Sequence, residues 1–101
     1  VLVTGPDTDS LATIARVLVG ERLATCVNVI PGLRSVFRWG GAIEEANEAL
    51  AILKTTAPRL PALAARVREL HPYEEPEVIA LAAAGGSESY LDWVIGGVED
   101  G

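Results

Sequence analysis

Between Ala24 and Thr56 the apolar residues neither recur at helical spacing nor alternate cleanly with polar ones. They crowd both parities of two long extended runs that reverse at Gly40-Gly41. Two adjacent glycines take the positive φ values of a tight hairpin turn, so the pattern predicts two antiparallel strands. Extended at about 3.3 Å per residue, Ala24–Trp39 would reach about 50 Å, against a radius of gyration of about 13 Å for a domain of this length. The hairpin must bend or overhang. Pro31-Gly32 is the place for a bulge, because proline brings no ladder donor and glycine tolerates the kink. With Trp39 opposite Ala42, one face carries Val27, Val29, Leu33, Phe37, Trp39, Leu50 and Ile52. The other carries Cys26, Asn28, Ile30, Val36, Ile43, Ala49, Ala51 and Leu53, and a bulge at Pro31 would exchange the faces of everything before it. A sheet wetted on one side alternates apolar and polar; here both sides need cover. Helices of the same chain supply one side, and another copy of the chain is the simplest cover for the other.

The flanking segments change period. Val1–Thr4 is a short apolar run closed by Gly5-Pro6, a first strand. Asp7, Thr8, Asp9 and Ser10 then offer caps and negative charge to a helix start, and Leu11, Ile14, Ala15 and Leu18 form its stripe up to an end near Gly20–Arg22. After the hairpin, Thr56 is placed to cap a second helix with Pro58 in its first turn. Leu60, Leu63, Ala64, Val67 and Leu70 are its buried face, Arg59, Arg66 and Arg68 point outward, and Pro72 stops it. Pro72 and Pro76 stiffen the connector His71-Pro72-Tyr73-Glu74-Glu75-Pro76-Glu77. Glu77–Ala84 is predicted as a fourth strand ended by Gly85-Gly86, and Ser87 as the cap of a last helix carrying Tyr90, Leu91, Trp93 and Val94. The order β-α-β-β-α-β with a terminal helix predicts an α+β, ferredoxin-like fold over residues 1–101 as one domain. Its two helices cover one face of an antiparallel sheet, and the other face is a second reason to expect self-association.

Composition narrows this picture. Half of the 101 residues are hydrophobic but only 5% aromatic, which suits a globular chain with extra buried surface. No apolar run approaches the ~18 residues of a membrane span, and no basic, signal-like start is present. The chain begins at Val1 rather than Met, so trimming is expected. One cysteine and one histidine exclude an internal disulfide and any familiar zinc motif within a chain; a cytoplasmic setting is the default. A net charge of −6 disfavours nucleic acid and anionic membrane as partners. No Ser-His-Asp or Cys-His grouping and no glycine-rich phosphate loop is evident, so no enzyme is expected.

Four segments together resemble one family. ERLATCVNVIPG (Glu21–Gly32), FRWGGAIEEANEALAILKTT (Phe37–Thr56), ELHPYEEPEVIAL (Glu69–Leu81) and YLDWV (Tyr90–Val94) stand in the order and spacing of the CutA, or divalent cation tolerance, proteins. The resemblance implies a ferredoxin-like protomer in a tight homotrimer, related in architecture to PII signal proteins, with long hairpins wrapping neighbouring subunits. It also implies a role in tolerance of copper and other divalent cations. Some members hold copper through a first-strand cysteine and two adjacent histidines before a Pro-Tyr pair; Val3 and Leu70 stand at the first two of those positions here, and only His71 remains.

The candidate metal ligands are therefore His71 with Glu74, Glu75 and Glu77, shared between subunits, taking Cu(II) or another divalent cation, none of them obligatory. His71 equally suits a helix C-terminus, where an imidazolium meets the dipole, and the carboxylates equally suit a solvated connector. Arg34 and Arg38 point the same way on a strand and either bind an anion or pair with Glu44, Glu45 or Glu48. Lys54, among Leu50, Ile52 and Leu53, must snorkel, pair or function. Trp39, Tyr73 and Trp93 read as interface anchors. Arg38, Trp39, Glu48, Lys54, Tyr73 and Trp93 are the candidate lining of inter-subunit clefts, where the alternative function, a PII-like trimeric scaffold, would bind a small anion or metabolite. Cys26 is expected to be a buried structural thiol.

Overall fold

The hairpin is the longest feature of the computed structural model, which describes residues 1–99 and measures 45 × 26 × 22 Å along its principal axes. Strands β1 (Leu2–Gly5), β2 (Cys26–Trp39) and β3 (Ala42–Lys54) form one antiparallel sheet in the order β1-β3-β2. Trp39 pairs with Ala42 across Gly40 and Gly41, whose φ values of 59° and 80° give the tight reversal that side chains with a Cβ resist. The register shifts between Ile30↔Leu50 and Leu33↔Glu48, so Pro31 and Gly32 together oppose a single residue of β3. This bulge carries Val27 and Val29 onto the face of Leu53 and Ala51, while Cys26, Asn28 and Ile30 join Leu50 and Ile52. The face assignment of an unbulged β2 is thereby reversed for residues before Pro31.

Three helices pack on or beside this sheet. α1 (Thr8–Gly20) starts at Asp7, whose extended backbone leaves its carboxylate to accept the Ser10 N–H at 2.7 Å. Its stripe of Leu11, Ile14 and Leu18 is buried. The helix closes through Arg22, at φ 59°, with the Leu23 N–H returning to the Leu18 carbonyl at 2.9 Å. α2 (Leu60–Leu70) follows a 3-10 turn, Ala57–Arg59. The expected Thr56 side-chain cap is not made: Pro58 has no N–H to offer, and the Arg59 N–H is taken by the Thr56 carbonyl at 3.0 Å. Leu63 and Val67 of α2 meet Leu11 and Leu18 over Val3, Ala49, Ala51 and Leu53, which is the core. Arg66 ties the helices on the outside, reaching Glu21 and Glu69 at 3.0 Å each; exposed pairs of this kind add little stability.

α3 (Glu88–Val98) is capped as expected by Ser87, whose hydroxyl accepts the Tyr90 N–H at 3.2 Å. It is tied down by Thr25, whose hydroxyl donates to the Val94 carbonyl. Arg59, expected to point outward, is half-buried and donates from Nε to the Val98 carbonyl at 2.7 Å.

The fourth strand is reduced to one bridge. Leu2 and Ile79 exchange backbone hydrogen bonds of 2.8 and 3.2 Å, and residues 80–84 form no ladder among the described residues. The βαββα order with this extended segment beside β1 is the ferredoxin-like α+β arrangement. Even-numbered β3 residues, with Leu2, Cys26, Asn28, Ile30, Leu33, Phe37 and Trp39 beside them, form the sheet face turned away from the core.

Candidate functional site

Polar side chains converge where the connector crosses the middle of the hairpin, beside the bulge. α2 ends at His71, whose N–H completes the last turn on the Val67 carbonyl at 2.8 Å. Pro72 then turns the chain outward. The His71 ring folds back to β1, with Nε2 2.7 Å from the Thr4 carbonyl and Nδ1 3.0 Å from the Tyr73 N–H. His71 is 7% exposed, the one buried polar or charged residue among those described. The rings of His71 and Tyr73 lie 4.7 Å apart at 53°, and the Tyr73 hydroxyl donates to Glu48 Oε2 at 2.7 Å. Glu48 sits opposite Leu33, the first β2 residue past the bulge. Thr4, His71, Tyr73 and Glu48 thus form a continuous bridge from β1 through the connector to the arm.

Burial, the hydrogen bond to Glu48 and the Glu48 charge push the Tyr73 hydroxyl from 10.0 up to about 12. Its folded value exceeds its unfolded one, so this stabilisation is complete below pH 10.0 and is lost as pH rises through about 12. Tyr73→Phe should cost about 1 kcal/mol at neutral pH. Urea unfolding of parent and variant should show that difference shrinking as pH climbs above 10.0; a difference unaffected by alkali would mean the Tyr73–Glu48 bond contributes nothing.

The other candidate residues are dispersed. Glu74, Glu75 and Glu77 are exposed on the connector, with Glu75 3.9 Å from Arg68. Among the described residues no three of His, Cys, Asp and Glu come together as a metal would need. Arg38 and Trp39 lie exposed near the hairpin tip, Lys54 lies at its base opposite Cys26, and Trp93 is on α3 with its ring 5.6 Å from that of Tyr90. Of the six candidate cleft residues, one chain joins only Glu48 and Tyr73. Arg34 does pair with Glu45, at 3.3 Å. Cys26 is half-buried on the uncovered sheet face rather than in the core. Toward the hairpin tip, Val36 and Ile43 stand 63% and 70% exposed on one side of the arm and Trp39 56% on the other. No described helix is long and apolar enough to cross a membrane.

Residues 1–96 match the family model described as CutA1 divalent ion tolerance protein. The chain belongs to the CutA1 family. Over 94 residues it is 50% identical to the divalent-cation tolerance protein CutA of Thermus thermophilus, covering 93% of this chain and 91% of that one. It is 48% identical over 92 residues to Protein CutA of Mus musculus, matching 91% of this chain but 52% of the mouse protein. A solved divalent cation tolerance protein, also from Thermus thermophilus, superposes with a TM-score of 0.94 at 47% identity, covering 97% of this chain and 95% of that structure. The fold described above is thus that of a CutA1 protein. The Thr4 carbonyl, which completes the His71 site, carries no side-chain signal that a sequence could show.

Proposed function

We propose that this CutA1 protein serves divalent-cation tolerance as a homotrimer, in the cytoplasm and without catalysis. The observation that supports it is the sheet face opposite the helices, where Leu2, Ile30, Leu33, Leu50 and Ile52 form an apolar surface continuous with Phe37 and Trp39 on the overhanging arm. β2 is also an open edge of the sheet, which invites a strand from another chain. The number three comes from the family resemblance. Cations in this reading are bound weakly, by oxygen ligands such as Glu74, Glu75 and Glu77 drawn from more than one subunit, with Cu(II) ahead of Zn(II) by the usual order of affinity. The scaffold alternative would need Arg38 and Lys54, at opposite ends of the hairpin, to meet across subunits.

Light scattering is the test. A particle of three times the 10.6 kDa chain is expected at micromolar concentration, and Trp39→Ala should weaken assembly more than Trp39→Phe, which keeps most of the buried ring. A stable monomer would sink the assembly. A thermal-shift panel of Cu(II), Zn(II) and nucleotides separates the two functions, because a ligand of the folded state raises its apparent stability. A shift with nucleotides and none with metals would favour the scaffold.

A further inference from the structure

The bridge at His71 bears on the metal expected there. A carbonyl oxygen only accepts hydrogen bonds, so the Nε2 atom 2.7 Å from Thr4 O must carry the proton. A backbone N–H only donates, so the Nδ1 atom 3.0 Å from Tyr73 N must be bare. One protonation state satisfies both partners, the neutral imidazole with its proton on Nε2. Metal ligation needs a free imidazole lone pair, and here the single lone pair in the ring plane is already engaged.

The surroundings agree. Leu2 exchanges its outward-facing hydrogen bonds with Ile79, and ladder alternation points the Thr4 carbonyl to the same outer edge. A full fourth strand would take that carbonyl; the His71 ring takes it instead. Val3, where a cysteine would complete a copper site, is 1% exposed in the core, and Leu70 packs half-buried against the same core. Neither offers a soft ligand. The residues present do not fit the copper site of the family resemblance.

We infer that His71 is a positioning residue rather than a metal ligand: its Nε2–H tautomer closes the outer edge of β1 at Thr4 and, through Tyr73, holds the acidic connector to Glu48 beside the bulge of the hairpin. Within the cation-tolerance reading this assigns weak ion binding to other groups. The assembly stands or falls independently, since light scattering reads neither ring nitrogen.

The chain has one histidine, so the imidazole nitrogens of the tag-free, 15N-labelled protein give one unambiguous pair of signals. At neutral pH, Nε2 should resonate as a protonated nitrogen and Nδ1 as a bare acceptor, and added zinc chloride should move neither. Cu(II) affinity of parent and His71→Asn should agree within about twofold. In His71→Ala the Tyr73 amide should exchange with deuterium about tenfold faster or more. His71→Asn, whose side-chain oxygen replaces Nδ1 as acceptor, should restore part of that protection. The opposite tautomer, a zinc-dependent shift of either nitrogen saturating at one equivalent, or a tenfold loss of Cu(II) affinity in folded His71→Asn would overturn the inference. The ring spectra come from the parent protein, so they decide the matter even if a variant does not fold.

Discussion

If the proposed homotrimer forms through the outer sheet face, Ile52→Asp is expected to leave a folded monomer. Ile52 lies in the middle strand, between Leu2 of β1 and Asn28 of β2, on the face turned away from the helices. Its neighbours along β3, Ala51 and Leu53, point into the core and are almost fully buried. The substitution therefore spares the core, and what it removes within the protomer is the half-buried contact of Ile52 with its strand neighbours. In an assembly that covers this face, it removes an apolar burial of about 1.5–3 kcal/mol and adds a carboxylate whose desolvation costs several kcal/mol more. Both penalties recur in every subunit, and each 1.4 kcal/mol is about tenfold in affinity. Light scattering should give the mass of one chain, with the far-ultraviolet circular dichroism of the parent retained. Ala51→Asp, one residue away on the other face, should instead unfold the chain. An assembled Ile52→Asp would show that the face is not an interface.

The features legible in the sequence share one property: their cause lies within a few residues. Gly40-Gly41 and Pro31-Gly32 carry their own backbone constraints, and Asp7 and Ser87 reach N–H groups three residues on. The turn, the bulge and both caps can be placed from local chemistry. Pattern fails where a distant or competing group decides. Thr56 loses its cap to Pro58 and to its own carbonyl. The apolar run at 77–84 reads as a strand, yet only Ile79 finds a ladder partner, Leu2, which lies 77 residues away and which pattern alone does not reveal. Arg59 finds a carbonyl 39 residues away, and His71 one 67 residues away. The face exchange before Pro31 lies between these cases, because the bulge is visible but its consequence needs the observed register. For the site, His71 and Tyr73 stand out by type; what they do depends on Thr4 and Glu48, reached only through the fold.

The close packing of β1 against α1 should show itself as strong coupling between Gly5 and Leu11. A Cβ added at Gly5 would lie 2.7 Å from Leu11 Cδ2 and 2.9 Å from Cγ, well inside the ~3.5–4.0 Å of favourable carbon contact. Leu11 is 1% exposed and sits between β1 and α2, so it cannot swing into solvent to make room. Gly5→Ala alone should cost about 1–3 kcal/mol by overpacking. Leu11→Ala alone should cost about 2–5 kcal/mol, because it leaves a hole that the neighbouring strand fills only in part. In the double variant the new methyl at position 5 enters the space Leu11 vacates, so the combined cost should fall short of the sum by about 0.5–3 kcal/mol. Urea unfolding of all four proteins at one protein concentration would measure this, with equal slopes confirming comparable denatured states. Using the Ile52→Asp background removes dissociation from the cycle. Strict additivity would mean that β1 gives way before Leu11 does, and that the contact is too soft to fix the strand on which Thr4 presents its carbonyl.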